Sequence, residues 1–284
     1  GTTDVQFDLS WKNSWRASWE EDIGGMFVAV TNWDAAWVFV KFRVSGGEWR
    51  HAALSSTGHY GPAGVTVEPA ATAGTNVGVF IYRSEQGHGD LNLSHIRLNW
   101  NYAGDGVLTT NFIDVSVHAI EMVYIPEGKF KVGSGGTESG SFTDGSWASG
   151  ATIPFEITSE AALEIGPEAG KLWGTSQSGN NTIGSEGTLP AEFPKGYAAF
   201  YCMKYEITQG QYAEFLNMLT GTQAGNRFPD QAGNDRHTIS RSGVPDSYTY
   251  TAEAPYVACN YLSYGDGAAY ADWAGLRPMT ELEY

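Results

Sequence analysis

Basic residues are scarce in this chain. Only 16 Lys and Arg stand against 32 Asp and Glu in 284 residues, a formal charge of −16. Nucleic-acid binding draws its affinity from cations that displace counterions along a phosphate backbone, and no basic stripe is present to do so. An anionic membrane surface is disfavoured by the same argument. Long hydrophobic runs are missing too: no stretch approaches the ~18 uncharged apolar residues that a spanning helix needs. The 2 cysteines, Cys202 and Cys259, are too few for a disulfide framework. Neither sits in a CxxC or beside a histidine, which argues against a zinc site. They read as two buried free thiols, with one disulfide between them as the alternative.

What the chain has in quantity is glycine (36), Tyr (15) and Trp (10). Few charges and many glycines predict turns and short strands in place of long helices. The segment opens on Gly1-Thr2-Thr3-Asp4 with no signal-peptide pattern and enters a strand pattern at once. That fits a cytoplasmic chain or a mature secreted one. Low lysine with many Trp, Tyr, Gly, Ser and Thr favours secretion or the cell surface. The acidity also suits calcium, which takes oxygen ligands.

Residues 1–119 read as an antiparallel β-sandwich domain, with barrel closure as the alternative. Val5, Phe7, Leu9 and Trp11 alternate with Gln6, Asp8 and Ser10, the pattern of a half-buried strand. In Trp37–Val44, Val38, Val40, Phe42 and Val44 share one face, and Trp37, Phe39, Lys41 and Arg43 the other. Further strands are expected at 26–30, 49–54, 77–82, 95–100 and 113–119, separated by Gly, Pro, Asn and Asp clusters. The pattern changes near Glu121. Residues 122–133 read as strand, Pro-Glu-Gly turn, strand, and 198–207 as another strand. Thr208 and Gln211 form a capping box ahead of a helix with Tyr212, Phe215, Leu216 and Leu219 on one stripe. Gly221 reads as its stop signal, and 221–253 as a long polar surface loop. Ser263 with Asp266 opens a second helix that buries Ala269, Tyr270 and Trp273 and ends at Gly275. Thr280 and Glu283 announce a third helix that the segment does not reach, so the chain is expected to continue. Residues 1–119 carry 7 basic and 12 acidic residues, and 120–284 carry 9 and 20, so the second part is the more acidic.

Four segments, in order, carry a resemblance. Met122–Gly133 (MVYIPEGKFKVG) is similar to M-V-x-I-P-x-G-x-F-x-M-G. Phe200–Asn217 (FYCMKYEITQGQYAEFLN) places Glu206 and Thr208 as in F-x-x-x-x-x-E-V-T-x-x-x-[FY]-x-x-F. Pro255–Gly275 resembles P-V-x-x-V-S-W-x-D-A-x-A-Y-C-x-W-A-G, and Leu276–Tyr284 resembles R-L-P-T-E-A-E-W-E. Together they resemble the opening part of the formylglycine-generating enzyme, or sulfatase-modifying factor, family. The likeness spans residues 122–284; residues 1–119 resemble no named family. It implies an incomplete α+β domain over 120–284, related to C-type lectins and rich in loops. It also implies copper-dependent oxidation of a substrate cysteine, by cysteines that in the family lie well past the region of Thr280. Neither Cys202 nor Cys259 occupies a matching position, and the family's calcium ligands lie beyond Tyr284 as well. No catalytic, cofactor-binding or metal residue is therefore assigned.

Other candidates weigh less. His51, His59, His88, His95, His118 and His237 show no i, i+4 metal spacing and read as structural or solvated. Asp144, Asp230, Asp235 and Asp266 lie in Gly- and Asn-rich surroundings but lack EF-hand spacing, so they read as solvated loops. Glu281 and Glu283 could pair as carboxylates, but Glu283 is better read as a cap. Trp11, Trp15, Trp19, Trp33, Trp37 and Trp49 read as core and strand-face packing, with a carbohydrate or partner platform as the alternative. Asn92 and Asn180 start glycosylation tripeptides, a common chance pattern. The expectation is a secreted or cell-surface bacterial protein, binding or structural, non-catalytic over these residues and with no cofactor. Its partners would be a surface protein, a glycan, or further copies in a homo-oligomer or surface assembly. The alternatives are a copper oxidase completed beyond residue 284 and a carbohydrate-binding module.

Overall fold

A computed structural model of the chain describes residues 1–284 except 23–24, 72–75, 137, 139, 146–152 and 175–185. The strands in the first part are β1 (Thr3–Asp22), β2 (Phe27–Val44), β3 (Arg50–His51), β4 (Val65–Pro69), β5 (Gly78–Arg83), β6 (Gly87–Trp100) and β7 (Ile113–Ile125). Short strands follow: β8 (Phe130–Val132), β9 (Phe142–Thr143), β10 (Phe155–Ile157), β11 (Leu163–Ile165), β12 (Trp173–Gly174), β13 (Gly187–Leu189) and β14 (Phe200–Met203). Then come helices α1 (Gln209–Asn217) and α2 (Gly221–Arg227), the hairpin β15 (Ile239–Val244) and β16 (Ser247–Ala252), and α3 (Tyr264–Trp273). Strands make up 45% of the described residues and pair antiparallel, so the fold is β-rich α+β.

Contacts group the chain into two units. One joins Gly1–Val123 with Cys202–Pro278; the other joins Tyr124–Tyr201 with Met279–Tyr284. The 119/120 boundary expected from the sequence falls inside β7, which runs on as one strand to Ile125.

The first unit is built around β2. Its N-terminal half pairs with β1, and its C-terminal half pairs with β3, β5 and β7. The sheet curls, and Ala36, Val38, Val40 and Phe42 meet Trp11 of β1 and Leu93, Ile96, Leu98 and Trp100 of β6 in one core. The sequence pairs these faces as alternation predicts. Residues 34–42 are nevertheless buried without a break, the signature of a strand covered on both faces. The second cover is helical. Trp37 donates from Nε1 to the Ala274 carbonyl at 2.7 Å. The Trp273 ring stands edge-on to Phe39 and to His118, with centroids at 5.2 and 5.0 Å. Tyr212, Phe215, Tyr270 and Trp273 complete an aromatic layer between α1 and α3. Lys41 is buried in this layer with its ammonium 5.5 Å from the Trp273 ring centre. Burial pushes it down to about 8, with Asp272 pulling the other way. His51, opposite Lys41 on β3, is pushed down to about 4 by burial and then by the Lys41 charge.

The capping box of Thr208 with Gln211 forms as read, and Ser263 with Asp266, read as an acidic first-turn partner, forms a capping box as well. Gly275 takes φ +71° after α3. Residues 221–253 differ from the loop expected. Gly221 is the first residue of α2, not a stop, because Thr220 and Gln223 form a third capping box. Residues 239–252 are the hairpin β15–β16, turned by Pro245 and by Asp246 at φ 65°.

In the second unit, Phe155, Ile157, Leu172 and Leu282 form a core with Phe130, Val132 and Phe142 around it. The Glu160 carboxylate accepts from the amides of Lys195, Tyr197 and Ala198 at 2.7–3.0 Å. The buried Lys195 ammonium donates to the carbonyls of Pro190 and Phe193 at 2.8 and 2.7 Å. Thr280 and Glu283 exchange the expected pair of cap bonds.

Candidate functional site

A groove lies in the first unit, where the segment 255–258 runs beside the start of α1. Gln209 N donates to the Val257 carbonyl at 2.8 Å, Gly210 N to Pro255 at 2.9 Å, and Cys259 N to Ile207 at 2.8 Å. The approach is close enough to require glycine: a Cβ on Gly210 would stand 2.8 Å from Pro255 Cβ and 2.9 Å from its carbonyl oxygen. This contact fixes one wall of a groove of about 670 Å³. Ala119, Ile120 and Glu121 of β7, Met203 of β14, and Tyr205, Glu206, Gln211, Glu214 and Tyr256 line it.

Two features distinguish the groove. Its aromatic rings face solvent, Tyr205 at 60% and Tyr256 at 93% exposure. Its charges are carboxylates. Glu121 is neutralised internally: Lys204 Nζ lies 3.1 Å from Glu121 Oε2 and 3.2 Å from Asp34 Oδ2. The same ammonium stands 5.5 Å from the Tyr205 ring centre. Burial works against the Lys204 charge, but the hydrogen bonds to Glu121 and Asp34 outweigh it, and its pKa is raised. The fully buried Asp34 also accepts from Trp11 Nε1 at 3.0 Å, Ser14 Oγ at 2.8 Å and the Trp15 amide at 2.9 Å. Glu206 has no ion-pair partner among the described residues. Glu214 has only His118, whose Nδ1 is 3.5 Å from Glu214 Oε2.

The residues singled out in the sequence do not gather into a second site. The thiols are free and half-buried, not fully buried. Burial pushes Cys259 up to about 12 and raises Cys202, so neither favours the thiolate that copper requires. No cluster of three His, Cys, Asp or Glu able to hold a metal occurs among the described residues. His59 is tied between the Ser55 carbonyl and the Asn99 amide, and His237 bonds Asn260. Asp230 pairs with Arg241, Asp235 accepts from Tyr261, and Asp266 caps α3 and pairs with Arg227. Trp11 and Trp37 are core, and Trp33 lies under Arg16 at 4.3 Å. Only Trp19 of that group stands exposed. Asn92 is exposed on β6, and Asn180 lies outside the described residues. Among the described residues no helix is long and apolar enough to cross a membrane.

Comparison with known proteins finds no matching family, no matching curated protein and no matching solved structure.

Proposed function

We propose that this chain is a non-catalytic binding module of a secreted or cell-surface protein, and that its partner docks over the groove of Tyr205 and Tyr256. The observation that carries the reading is the pair of exposed tyrosines lining one groove of about 670 Å³. An exposed tyrosine held by a rigid backbone presents a large contact area at little entropic cost, which is the property of an interface anchor. Glu206, Glu214 and Gln211 add polar groups that would orient what binds. The four segments between Met122 and Tyr284 support a formylglycine-generating-enzyme-like, C-type-lectin-related scaffold as the frame for this groove. In this reading the scaffold is kept and its chemistry is not used, because function lies in sites and not in folds.

Surface plasmon resonance against panels of peptides and oligosaccharides tests the proposal, with Tyr205→Ala and Tyr256→Ala variants beside the parent chain. The reading predicts a ligand whose response both substitutions weaken. Ligands that ignore both substitutions would remove the groove from the account. An oxidation assay with copper and a cysteine-containing sulfatase peptide is expected to yield no aldehyde; formation of aldehyde would return the oxidase reading.

A further inference from the structure

We infer that the groove takes a cationic ligand, a partner segment carrying lysine or arginine side chains. The inference rests on the groove being the docking surface proposed above and adds the chemistry of its occupant. The chain already displays the interaction in miniature. Lys204 sits between Glu121 and Asp34 and beside the Tyr205 ring, so one ammonium satisfies a carboxylate and a tyrosine face together. That cation uses up Glu121. Glu206 and Glu214 line the same groove with no lysine or arginine partner among the described residues, next to the open ring of Tyr256. A net charge of −16 over the chain adds long-range attraction for a basic segment and disfavours a second copy of this chain in the groove. Anionic glycans are disfavoured for the same reason. A neutral glycan would gain the tyrosine stacking but would leave the two carboxylates without a countercharge.

Fluorescence anisotropy with a labelled peptide bearing two lysines tests this, in about 0.15 M salt, where the Debye length is ~8 Å and distant charges are screened. Glu206→Gln/Glu214→Gln is expected to weaken binding roughly ten-fold, as loss of two exposed ion pairs would. Tyr256→Ala should weaken it about three-fold. Glu20→Gln/Glu21→Gln removes the same charge from the exposed part of β1 and should change affinity less than about two-fold. Equal losses in the two double variants would make the binding a net-charge effect and overturn the inference, as would no binding of the peptide at all. In either case a neutral oligosaccharide, cellotetraose, decides the underlying reading. If it binds and Tyr256→Ala abolishes that binding, the groove stands and only the cationic class falls. If Tyr256→Ala changes neither probe, both fall.

Discussion

Replacing Lys41 with methionine should stabilise the protein, although it deletes a charge beside Asp272. Lys41 is 4% exposed on a strand covered by helices, and no acceptor lies within hydrogen-bonding distance of its ammonium among the described residues. The rings of Phe39 and Trp273 stand 6.0 and 5.5 Å from the ammonium. Its pKa falls from 10.5 to about 8, burial being the larger cause and the Asp272 charge the smaller, opposed one. At about 1.4 kcal/mol per pH unit, that difference sets a ceiling of about 3 kcal/mol on the cost of keeping the ammonium in the fold. The sign follows from proton counting. Between pH 8 and 10.5 the unfolded chain holds the proton and the folded chain does not, so stability rises with pH across that window. Below about 8 both hold it and the full cost is present. Methionine matches the length of the stem and has no charge to desolvate. Lys41→Met is therefore expected to gain about 1–3 kcal/mol at pH 7, and its advantage should shrink towards pH 10.5. Urea denaturation of both proteins at several pH values measures this. A variant that is less stable at pH 7 would refute the reasoning and make the Lys41–Asp272 attraction the dominant effect; an advantage that does not change with pH would refute it by showing that the gain does not come from the charge.

Three further outcomes follow from the same geometry. His51 stays neutral in the fold down to about pH 4, held there by burial and by Lys41. The unfolded chain binds the proton first, so stability should fall as pH drops from about 6.5 to 4, by up to about 3 kcal/mol; His51→Gln should flatten that fall in a pH series of urea melts. Asp34→Ala leaves Trp11 Nε1, Ser14 Oγ and the Trp15 amide without their acceptor and Lys204 with Glu121 alone, and should cost about 3–5 kcal/mol by the same assay. Thr220→Ala removes the cap of α2 and should cost about 1 kcal/mol; no change would show that α2 contributes nothing to stability.

Much of the fold was legible because it is local. Cap residues act within one helical turn, so Thr208, Ser263 and Gly275 could be read directly. The two faces of β2 followed from alternation. The same chemistry was also written at Thr220 and Gln223, yet Gly221 between them reads as a helix stop, since glycine is the poorer helix former. The hairpin at 239–252 was hidden by its polar composition: most residues of β15 and β16 are exposed, so no apolar period marks them. What covers the second face of β2 could not be read at all. Trp37 and Ala274 are 237 residues apart, and nothing local links a tryptophan to one particular carbonyl. The groove was invisible for the same reason. Tyr205 and Tyr256 line one groove because the segment 255–258 runs beside the start of α1, an approach that Gly210 permits. Of the tryptophans that crowd the first fifty residues, Trp11 and Trp37 are buried. Close spacing in sequence marked packing there, whereas the exposed rings are tyrosines far apart along the chain.

Hydrogen–deuterium exchange with and without the two-lysine peptide tests the docking claim most directly, because it reports where the ligand sits without assuming which residue matters. The account predicts slowed exchange confined to 119–121, 203–214 and 255–258, and no slowing in a Glu206→Gln/Glu214→Gln protein at the same peptide concentration. Slowing spread over the acidic surface, or centred on the β1–β2 hairpin, would contradict it.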